Sequence, residues 1–495
     1  MATIMTSTPT EVLDGVRTEL LIDGEWRPSS DGETLEKLNP ATEDRLAQVS
    51  AATEEDVDAA VRAARTQLDG GEWSKLSGVE RGQLLNRLAD LIERDFEKLA
   101  TIQSLEGGQP LMEPKMLDIP MTVGTFRHFA GWADKITGTV IPTPGYFGRQ
   151  THSYTRREPV GVIAAILPWN APAMIFSWKV AAALACGNTL VVKPSEDAML
   201  NVNYLGQLIE EAGFPAGVVN IVNGLGETTG AALVRHSGVD KISFTGSYEV
   251  GRVIGKVAAE SFKRVTLELG GKSPQIIFAD ANLEAAIQGT AMGVFANQGQ
   301  VCAAGTRILV ERPVYDQVVE ALGGAAQSVR LGNPLDPETQ MGALINKQQL
   351  ERVLDYIRAG KEEGAKLVAG GERSGERGYF VQPTIFADAS NDMRIAREEI
   401  FGPVGTVIPF DGPDEAERIA NDSFYGLAAT IWTQDISKAH TLAAKVRAGT
   451  VWINGWGAID PRLPWGGVKG SGVGRELGWA GIEANTEEKV VTVVL

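Results

Sequence analysis

The chain has 495 residues, of which 43% are hydrophobic and 22% are charged, and its formal net charge is −17. This composition is typical of a globular protein with a large core, and the length predicts about three domain-sized units. The acidic balance argues against nucleic acid or anionic membrane as a partner, and two cysteines cannot build a disulfide framework, so we expect a reducing, cytoplasmic compartment.

The N-terminal part of the chain is predicted to be mostly helical after one short hairpin. Residues 1–17 lack the basic and apolar regions of a signal peptide, and no apolar run in the chain reaches the roughly 18 residues of a membrane span. Residues 20–26 predict a hairpin with Asp23-Gly24 at its turn. Thr53 is a candidate N-cap, and helices are predicted over residues 53–64, 78–104 and 114–133.

Two later segments are strongly β-prone. Residues 137–158 contain short β-like pieces around a Pro- and Gly-rich turn and predict a separate hairpin. Residues 487–495 predict a final strand. An unpaired apolar strand at a terminus promotes aggregation, so we expect this strand to pair either with the hairpin or with the same region of another subunit.

Strands and helices alternate from residue 159 onwards. Five strands with four intervening helices predict a doubly wound parallel sheet, whose ligands bind at the carboxyl ends of the strands. The predicted strands are residues 160–167, 188–192, 218–222, 241–244 and 265–269. One of the four helices covers residues 227–236. After Gly270-Gly271 the alternation of strands and helices restarts. We therefore expect a second α/β domain.

Polar residues and glycines follow several predicted strands. Asn170 follows the first strand, where its amide can donate to an oxyanion or serve only as a turn residue. Lys193 and Glu196 follow the second strand and can meet ribose or phosphate, or form a solvated ion pair. Two Gly-rich turns, residues 224–230 and 246–251, are weak candidates for a phosphate loop, since glycine is common at such turns.

A carboxylate and a thiol are the candidate reactive groups. Glu268 lies in an apolar strand, where burial would raise its pKa as a general base requires, or where it forms a structural pair. Cys302 lies among small residues and glycines, between a predicted helix over Leu283–Phe295 and a strand at residues 307–310. Most free cysteines are buried and inert, which Cys186 in an alanine-rich helix fits well. The four histidines are scattered, so we expect no metal site.

Six motifs follow one another along the chain. They are Pro168-Trp169-Asn170, the Gly-Ser-x-x-x-Gly at 246–251, Leu267-Glu268-Leu269-Gly270-Gly271-Lys272-Ser273-Pro274, Gln298-Gly299-Gln300-x-Cys302, Glu398-Glu399-Ile400-Phe401-Gly402-Pro403 and Gly470-Ser471-Gly472-x-Gly474-Arg475-Glu476. Together they resemble the NAD(P)-dependent aldehyde dehydrogenase superfamily, from about residue 20 to the end. The resemblance implies an α/β fold with two doubly wound parallel-sheet domains and a small β oligomerisation element.

The resemblance also implies domain boundaries and an assembly. Residues 1–136 and 159–269 would form the NAD-binding domain and residues 270–470 the catalytic domain. Residues 137–158 and 480–495 would form the oligomerisation element of a homo-oligomer, which we expect to be a tetramer built as a dimer of dimers.

The same resemblance assigns catalytic roles. Cys302 would add to the aldehyde carbon, Asn170 and the Cys302 N–H would hold the oxyanion, and Glu268 would activate water to hydrolyse the thioester. Lys179 and Glu476 match positions of a proton relay from the base. A covalent sulfur adduct suits an aldehyde, which has no leaving group, because the resulting alkoxide can expel hydride.

The implied cofactor is NAD. Lys193 and Glu196 would bind the adenine ribose, and Glu196 should repel a 2′-phosphate, which favours NAD over NADP. Trp169 and Ser247 would touch the pyrophosphate, while Glu399 would bind the nicotinamide ribose with Phe401 beside the ring. The other predicted cofactor contacts are Ile166, Leu167, Pro168, Gly226, Phe244, Gly246, Val250 and Leu269.

The predicted substrate pocket departs from the family pattern. Ala171, Ala296 and Ile459 stand where the family often has aromatic residues, and Trp465 stands where Phe is usual. The other predicted lining residues are Met121, Met174, Trp178, Val301 and Ala303. None of these is basic, so the pocket suits an aromatic or medium to long aliphatic aldehyde, unless the residues repack without changing its volume. A semialdehyde carboxylate would lack a partner there.

Several alternatives remain open at this stage. A semialdehyde or betaine-aldehyde-type dehydrogenase would differ only in substrate. A CoA-acylating enzyme typically lacks a carboxylate base at the position of Glu268. A cysteine hydrolase would need a histidine partner, and no histidine lies near a motif. A non-catalytic protein on this fold would not need to keep Asn170, Glu268, Cys302 and Glu399.

Overall fold

The computed structural model describes residues 9–495. The prediction for the first eight residues therefore lies outside the described range. Within that range, none of the helices combines the length and the apolar character that crossing a membrane requires.

The helices cluster in the first half of the chain and then alternate with strands. Their bounds are α1 Pro9–Leu13, α2 Glu54–Asp69, α3 Gly78–Arg94, α4 Phe96–Gly107, α5 Ile119–Ala130, α6 Pro172–Ala185, α7 Leu200–Ala212, α8 Ala231–Arg235, α9 Tyr248–Glu260, α10 Leu283–Phe295, α11 Tyr315–Ser328, α12 Lys347–Glu362, α13 Arg394–Arg397, α14 Gly412–Asn421, α15 Ile436–Lys445 and α16 Gly478–Ala484. Two single π-helical turns, Pro114–Asp118 and Gly226–Gly230, precede α5 and α8.

The strands form four sheets. Their bounds are β1 Leu20–Ile22, β2 Glu25–Arg27, β3 Thr34–Leu38, β4 Arg45–Ser50, β5 Val140–Ile141, β6 Thr151–Pro159, β7 Val162–Ile166, β8 Thr189–Lys193, β9 Val219–Ile221, β10 Lys241–Thr245, β11 Arg264–Glu268, β12 Pro274–Ile277, β13 Arg307–Glu311, β14 Lys366–Ala369, β15 Thr384–Ala387, β16 Val404–Phe410, β17 Ala428–Trp432, β18 Thr450–Ile453, β19 Gly472–Val473 and β20 Thr486–Val494.

The first large sheet contains the five strands predicted from the alternating pattern. Its order is β19-β11-β10-β7-β8-β9-β1-β2, and β7 to β11 all run parallel. The chain moves outward from β7 first through β8 and β9, and then on the other side through β10 and β11. This reversal creates a crevice at the carboxyl end of β7, which is where doubly wound sheets bind their ligands.

The second large sheet has the order β14-β15-β16-β13-β12-β17-β18, and every neighbouring pair except β14–β15 is parallel. The predicted α/β fold with two parallel sheets is confirmed. The link between the sheets is short, because β11 ends at Glu268 and β12 begins at Pro274. A side chain at Gly271 in this link would collide with the Cys302 carbonyl, so glycine permits the close approach of the two segments.

The C-terminal strand pairs within its own chain. β20 lies antiparallel to β6 along its whole length, from Thr486 opposite Pro159 to Val494 opposite Thr151. The three-stranded sheet β20-β6-β5 leaves one side of β20 as an edge. The first of the two predicted pairings is therefore confirmed.

Predictions that rest on a few neighbouring residues, such as caps and turns, are confirmed. Thr53 and Asp56 form a capping box for α2, Asp23 and Gly24 turn the first hairpin with positive φ, and α10 has the predicted bounds. Three helix predictions were wrong in detail. The helix over residues 78–104 is interrupted at Asp95, and the helices over 114–133 and 227–236 each begin with a π turn.

Candidate active site

One cavity of about 890 Å³ collects the candidate reactive groups. Asn170 follows β7, Ser247 follows β10 and Glu268 ends β11, so the first sheet supplies three of these groups. Cys302, in the loop before β13, and Glu399, before β16, reach it from the second sheet. The topology thus brings to one place residues that are more than 200 positions apart in the sequence.

The turn before Cys302 is strained. Asn297, Gln298 and Gly299 have φ values of 46°, 55° and 71°, so three successive residues adopt the left-handed conformation. Residues with side chains rarely adopt it, and such strain tends to occur at functional sites. The turn ends α10 and directs the following residues back towards the cavity, which leaves the Cys302 thiol half-buried against it.

The environment of Cys302 favours the uncharged thiol. Burial first, and the nearby Glu399 and Glu268 carboxyls after it, raise its pKa to about 12, against the opposing effect of the backbone N–H groups of Ala303 and Cys302. A thiol with this pKa is a weak nucleophile at rest. It therefore needs a base to take its proton as it attacks.

Asn170 is tied to the same turn by two hydrogen bonds. Its side-chain Nδ2 donates to the Gln300 carbonyl at 2.9 Å, and its own carbonyl accepts from Asn297 Nδ2 at 2.7 Å. A side-chain amide has two N–H groups, so one remains to donate to a ligand. This arrangement suits an oxyanion that forms beside Cys302.

Glu268 is a buried carboxyl at the end of β11. It is 4% exposed, and neither of its oxygens has a hydrogen-bond partner in the described part of the chain. Burial first, and repulsion by Glu476 second, raise its pKa well above the usual value, while Lys179 partly opposes the shift. A carboxyl with a raised pKa can act as a general base near neutral pH.

Behind Glu268 lies a buried polar cluster. Lys179 Nζ donates to Glu476 Oε1 at 2.6 Å and to Ser243 Oγ at 3.2 Å, and Ser243 Oγ donates to the same Glu476 oxygen at 3.0 Å. The other oxygen, Glu476 Oε2, has no partner among residues 9–495. The structure thus brings both predicted relay residues together beside Glu268.

The opposite wall of the cavity carries residues predicted to bind the cofactor. Ser247 caps α9, where its Oγ accepts from the Val250 N–H. The Trp169 and Phe401 rings meet edge to face at 5.1 Å. Glu399 accepts from the Gly271 N–H at 3.0 Å, and burial raises its pKa to about 7. Pro168, Gly246 and Leu269 complete the predicted cofactor residues in this wall.

A second group of predicted cofactor residues lies beyond the cavity wall. Lys193 ends β8, and its Nζ donates to the Pro194 carbonyl at 2.7 Å and lies 3.7 Å from Glu196 Oε2. A Cβ at Gly230 would lie 3.4 Å from the Lys193 side chain, so the Gly-rich turn that begins at Gly226 packs beside it. This group also contains the predicted residues Ile166, Leu167, Phe244 and Val250.

These residues fit a dinucleotide. Hydrogen-bonding carboxylates lie at both ends of the group, and the N-terminus of α9 lies between them at the carboxyl end of β10. A helix N-terminus favours a phosphate, and carboxylates accept from ribose hydroxyls. A Cβ at Gly246 would strike the Phe244 ring, so only glycine allows the chain to pass there.

The remaining wall carries most of the residues predicted to meet the substrate. Eight of these nine residues line the cavity: Ala171, Met174, Trp178, Ala296, Val301, Ala303, Ile459 and Trp465. The ninth, Met121 in α5, is 7% exposed and packs in the hydrophobic core of the described chain.

The sequence reasoning also missed residues of this wall. Phe295, Trp452 and Trp456 add aromatic surface, and Glu113 and Asp118 add two carboxyls. Nothing local to these residues distinguishes them, because β18 and the π turn reach the cavity only through the tertiary fold. The exception is Glu113, whose position next to Pro114 at a helix start is a weak signal.

Comparison with known proteins gives a consistent result. A family model described as "Aldehyde dehydrogenase family" matches residues 26–491. Aldehyde dehydrogenase 1A1 of Gallus gallus is 49% identical, covering 96% of this chain and 93% of the relative. Retinal dehydrogenase 2 of Homo sapiens is 48% identical, covering 98% and 93%. The NAD+ complex structure of an aldehyde dehydrogenase from Bacillus cereus is 48% identical and has a TM-score of 0.97, covering 100% of both chains.

Proposed function

The chain belongs to the aldehyde dehydrogenase family, and we propose that it oxidises an apolar aldehyde to its carboxylic acid with NAD, through a thioester on Cys302. One observation carries the proposal. Cys302, Asn170 and Glu268 meet in a single cavity whose other wall holds Ser247 and Glu399.

Addition of the thiol is the first proposed step. The Cys302 sulfur forms a bond to the aldehyde carbon, and the C=O π electrons move to the oxygen. Because the resting thiol is protonated, its proton passes to Glu268, whose raised pKa makes it a competent acceptor. The Asn170 amide and the Cys302 N–H donate to the new oxyanion.

Oxidation and hydrolysis follow. When bound, NAD supplies the acceptor for the hydride that leaves the carbon and yields the thioester. Trp169, Ser247 and Glu399 are the residues that would hold and orient it there. Glu268 first passes the thiol proton on towards Glu476, which restores its carboxylate. It then removes a proton from water, the water oxygen attacks the thioester carbon, and the carbon–sulfur bond breaks to release the acid and the Cys302 thiolate, which takes up a proton to return to the resting thiol. Glu476, with an unpartnered oxygen in the described chain, is the proposed next proton carrier, held by Lys179.

The cavity supports an aromatic or medium to long aliphatic substrate. Its substrate wall combines small residues with the rings of Trp178, Trp465 and Trp456, and broad apolar walls favour apolar ligands. The Asp118 carboxyl in the same wall would oppose an anionic tail. The similarity to a retinal dehydrogenase supports a long apolar aldehyde within this class.

Glu196 supports the preference for NAD. Its carboxylate, held 3.7 Å from Lys193, would accept from a ribose 2′-hydroxyl and repel a 2′-phosphate. The presence of Glu268 supports hydrolysis rather than transfer of the acyl group to CoA.

We also propose that the protein is a homo-oligomer with the predicted domain boundaries. The free edge of β20 presents Val490, Val493 and Val494 to solvent. Edge strands with exposed apolar side chains are templates for pairing with another chain. A tetramer built as a dimer of dimers through this edge remains the preferred assembly, and light scattering of the purified protein tests it.

A screen for NADH release tests the function. Purified protein is offered aromatic, terpenoid, short aliphatic and charged aldehydes, each with NAD and with NADP. We expect the highest kcat/KM with an aromatic, terpenoid or medium to long aliphatic aldehyde and NAD. A higher kcat/KM for succinate semialdehyde would reject the substrate class, and a higher kcat/KM with NADP would reject the cofactor preference.

A further inference from the structure

The left-handed turn before Cys302 needs an external partner to hold it. Asn297 and Gln298 both have positive φ, a conformation that costs free energy for residues with side chains and persists only where the surroundings enforce it. The Gln298 side chain contributes one tether, through Nε2 to the Gly108 carbonyl at 3.2 Å. The backbone of Asn297 has a different partner.

That partner is the carboxyl of Glu113. Both of its oxygens lie 3.0 Å from the Asn297 backbone nitrogen, so a side chain 184 positions earlier in the sequence accepts the first N–H of the turn. Glu113 directly precedes the π turn Pro114–Asp118 and lies in the cavity wall. Single π turns are rare and occur frequently at functional sites.

The Asn297–Gln298 turn also holds Asn170. The Asn297 side chain donates to the Asn170 carbonyl at 2.7 Å, and the Asn170 side chain donates to the Gln300 carbonyl at 2.9 Å. The Gln300 N–H closes the turn on the Asn297 carbonyl at 2.8 Å. The main chain and the side chain of Asn170 are therefore both oriented by a turn whose first N–H is bound by Glu113.

We propose that Glu113 is a positioning residue for the oxyanion site, because it fixes the Asn297–Gln298 turn that holds Asn170. The inference deepens the proposed function and rests on it. Glu113 need not touch the substrate to act in this way. Displacing an oriented donor by about 1 Å is enough to reduce a rate roughly 100-fold.

The uncharged side chain should serve nearly as well as the carboxylate. Burial raises the pKa of Glu113 to about 8, the Asn297 N–H lowers it, and Asp118 raises it. The acid form therefore predominates at neutral pH, and glutamine reproduces its shape and keeps an oxygen that can accept from Asn297. Leucine has a similar size and no acceptor.

The experiment compares Glu113→Leu and Glu113→Gln with a matched control, Met112→Gln. Met112 is the preceding residue, is 51% exposed and makes no part of the site. We expect E113L to lower kcat for the best aldehyde roughly 30- to 100-fold with the Kd for NAD unchanged, and E113Q to stay within about 3-fold of the wild type. M112Q should match the wild type. Loss of activity in E113Q equal to that in E113L would contradict the proposal.

A double-mutant cycle with Asn170→Ala separates positioning from general damage. If Glu113 acts through Asn170, adding E113L to N170A should cost less than about 3-fold more, because the donor is already absent. Additive losses would overturn the inference. Should E113L not fold, Glu113→Asp replaces it in the cycle, since the shorter side chain cannot bring both oxygens to Asn297.

Hydrolysis of p-nitrophenyl acetate distinguishes failure of this inference from failure of the proposed function. We expect the ester to acylate Cys302 through the same oxyanion site without NAD or an aldehyde, because p-nitrophenolate is itself a leaving group. If no aldehyde yields NADH, the proposed function fails, while the cycle can still be measured with the ester. If the wild type is active and E113L, correctly folded, equals it in both assays, only the positioning role is rejected.

Discussion

The two cysteines occupy contrasting regions of one chain. Cys186 caps the C-terminus of α6, is 5% exposed, and its thiol lies 3.8 Å from the Ile482 carbonyl. Cys302 follows a strained turn and lies half-buried against a large cavity. Burial raises the pKa of both thiols to about 12. Thiol acidity at rest therefore does not distinguish the proposed nucleophile, Cys302, from the buried Cys186.

The charges around the two thiols are the opposite of what a preformed thiolate at Cys302 would require. Lys241 and Arg81 lower the pKa of Cys186, whereas Glu399 and Glu268 raise that of Cys302. These charges alone would favour a thiolate at Cys186 rather than at Cys302. What Cys302 has instead is access to the cavity that also holds the proposed base Glu268 and the Asn170 amide. We therefore expect its reactivity to depend on groups that act during attack rather than on a preformed thiolate.

Replacing each cysteine by serine tests the contrast between Cys302 and Cys186, and it has the largest expected effect. We expect Cys302→Ser to lower kcat for aldehyde oxidation at least about 1,000-fold, because a serine hydroxyl is a much weaker nucleophile and its base is arranged for a thiol. Cys186→Ser should stay within about 2-fold of the wild type. Steady-state NADH production measures both. A comparable loss of kcat in both variants would contradict the assignment of Cys302 as the nucleophile and Cys186 as a structural residue.

Replacing the base tests the second half of the contrast. Glu268→Gln should lower the steady-state rate roughly 100- to 1,000-fold, because the thioester then lacks a group to activate water. The burst of NADH from the first turnover should be slowed as well, because Glu268 is also the proposed acceptor of the thiol proton. Stopped-flow absorbance measures the burst and the steady rate together. A steady-state rate equal to that of the wild type would exclude Glu268 as the base.

The same carboxyl gives the protein a pH dependence with a defined sign. Burial raises the pKa of Glu268, and a base must be deprotonated to act. The rate of deacylation should therefore rise with pH through the raised pKa, at a pH well above the range of an ordinary carboxyl. A profile already flat down to about pH 5 would contradict the burial of Glu268.

The sequence predicted the parts of this site that short patterns determine. Asn170, Glu268 and Cys302 each lie at the end of an element or in a turn that the alternating pattern located, and their chemistry follows from residue type. The resemblance supplied their order and roles. The structure then brought all three to the same cavity, as the carboxyl ends of β7 and β11 required.

Other features of the site depend on distant contacts and left little local trace. The left-handed Asn297–Gln298 turn and its partner Glu113 are 184 positions apart, and the pattern around each indicates only a helix end. The π turn at Pro114–Asp118 resembles an ordinary helix start in sequence.

Alkylation measures the accessibility of the two thiols directly. Iodoacetamide should label Cys302 and leave Cys186 unmodified in the folded protein, and the rate should keep rising to about pH 10, because the pKa of Cys302 lies above that. Peptide mass mapping identifies the site. Equal labelling of Cys186 would show that burial does not protect it.

The smallest expected effect belongs to the structural cysteine. Cys186→Ala removes one buried sulfur from the core between α6 and the segment around Ile482, which we expect to cost about 1 kcal/mol through lost packing. The corresponding Tm should fall by about 2 °C or less for a chain of this size, with kcat and KM unchanged. Differential scanning fluorimetry and the aldehyde assay check both. A loss of activity without a fall in Tm would mean that Cys186 acts on the catalytic site, and the separation between the two thiols would have to be abandoned.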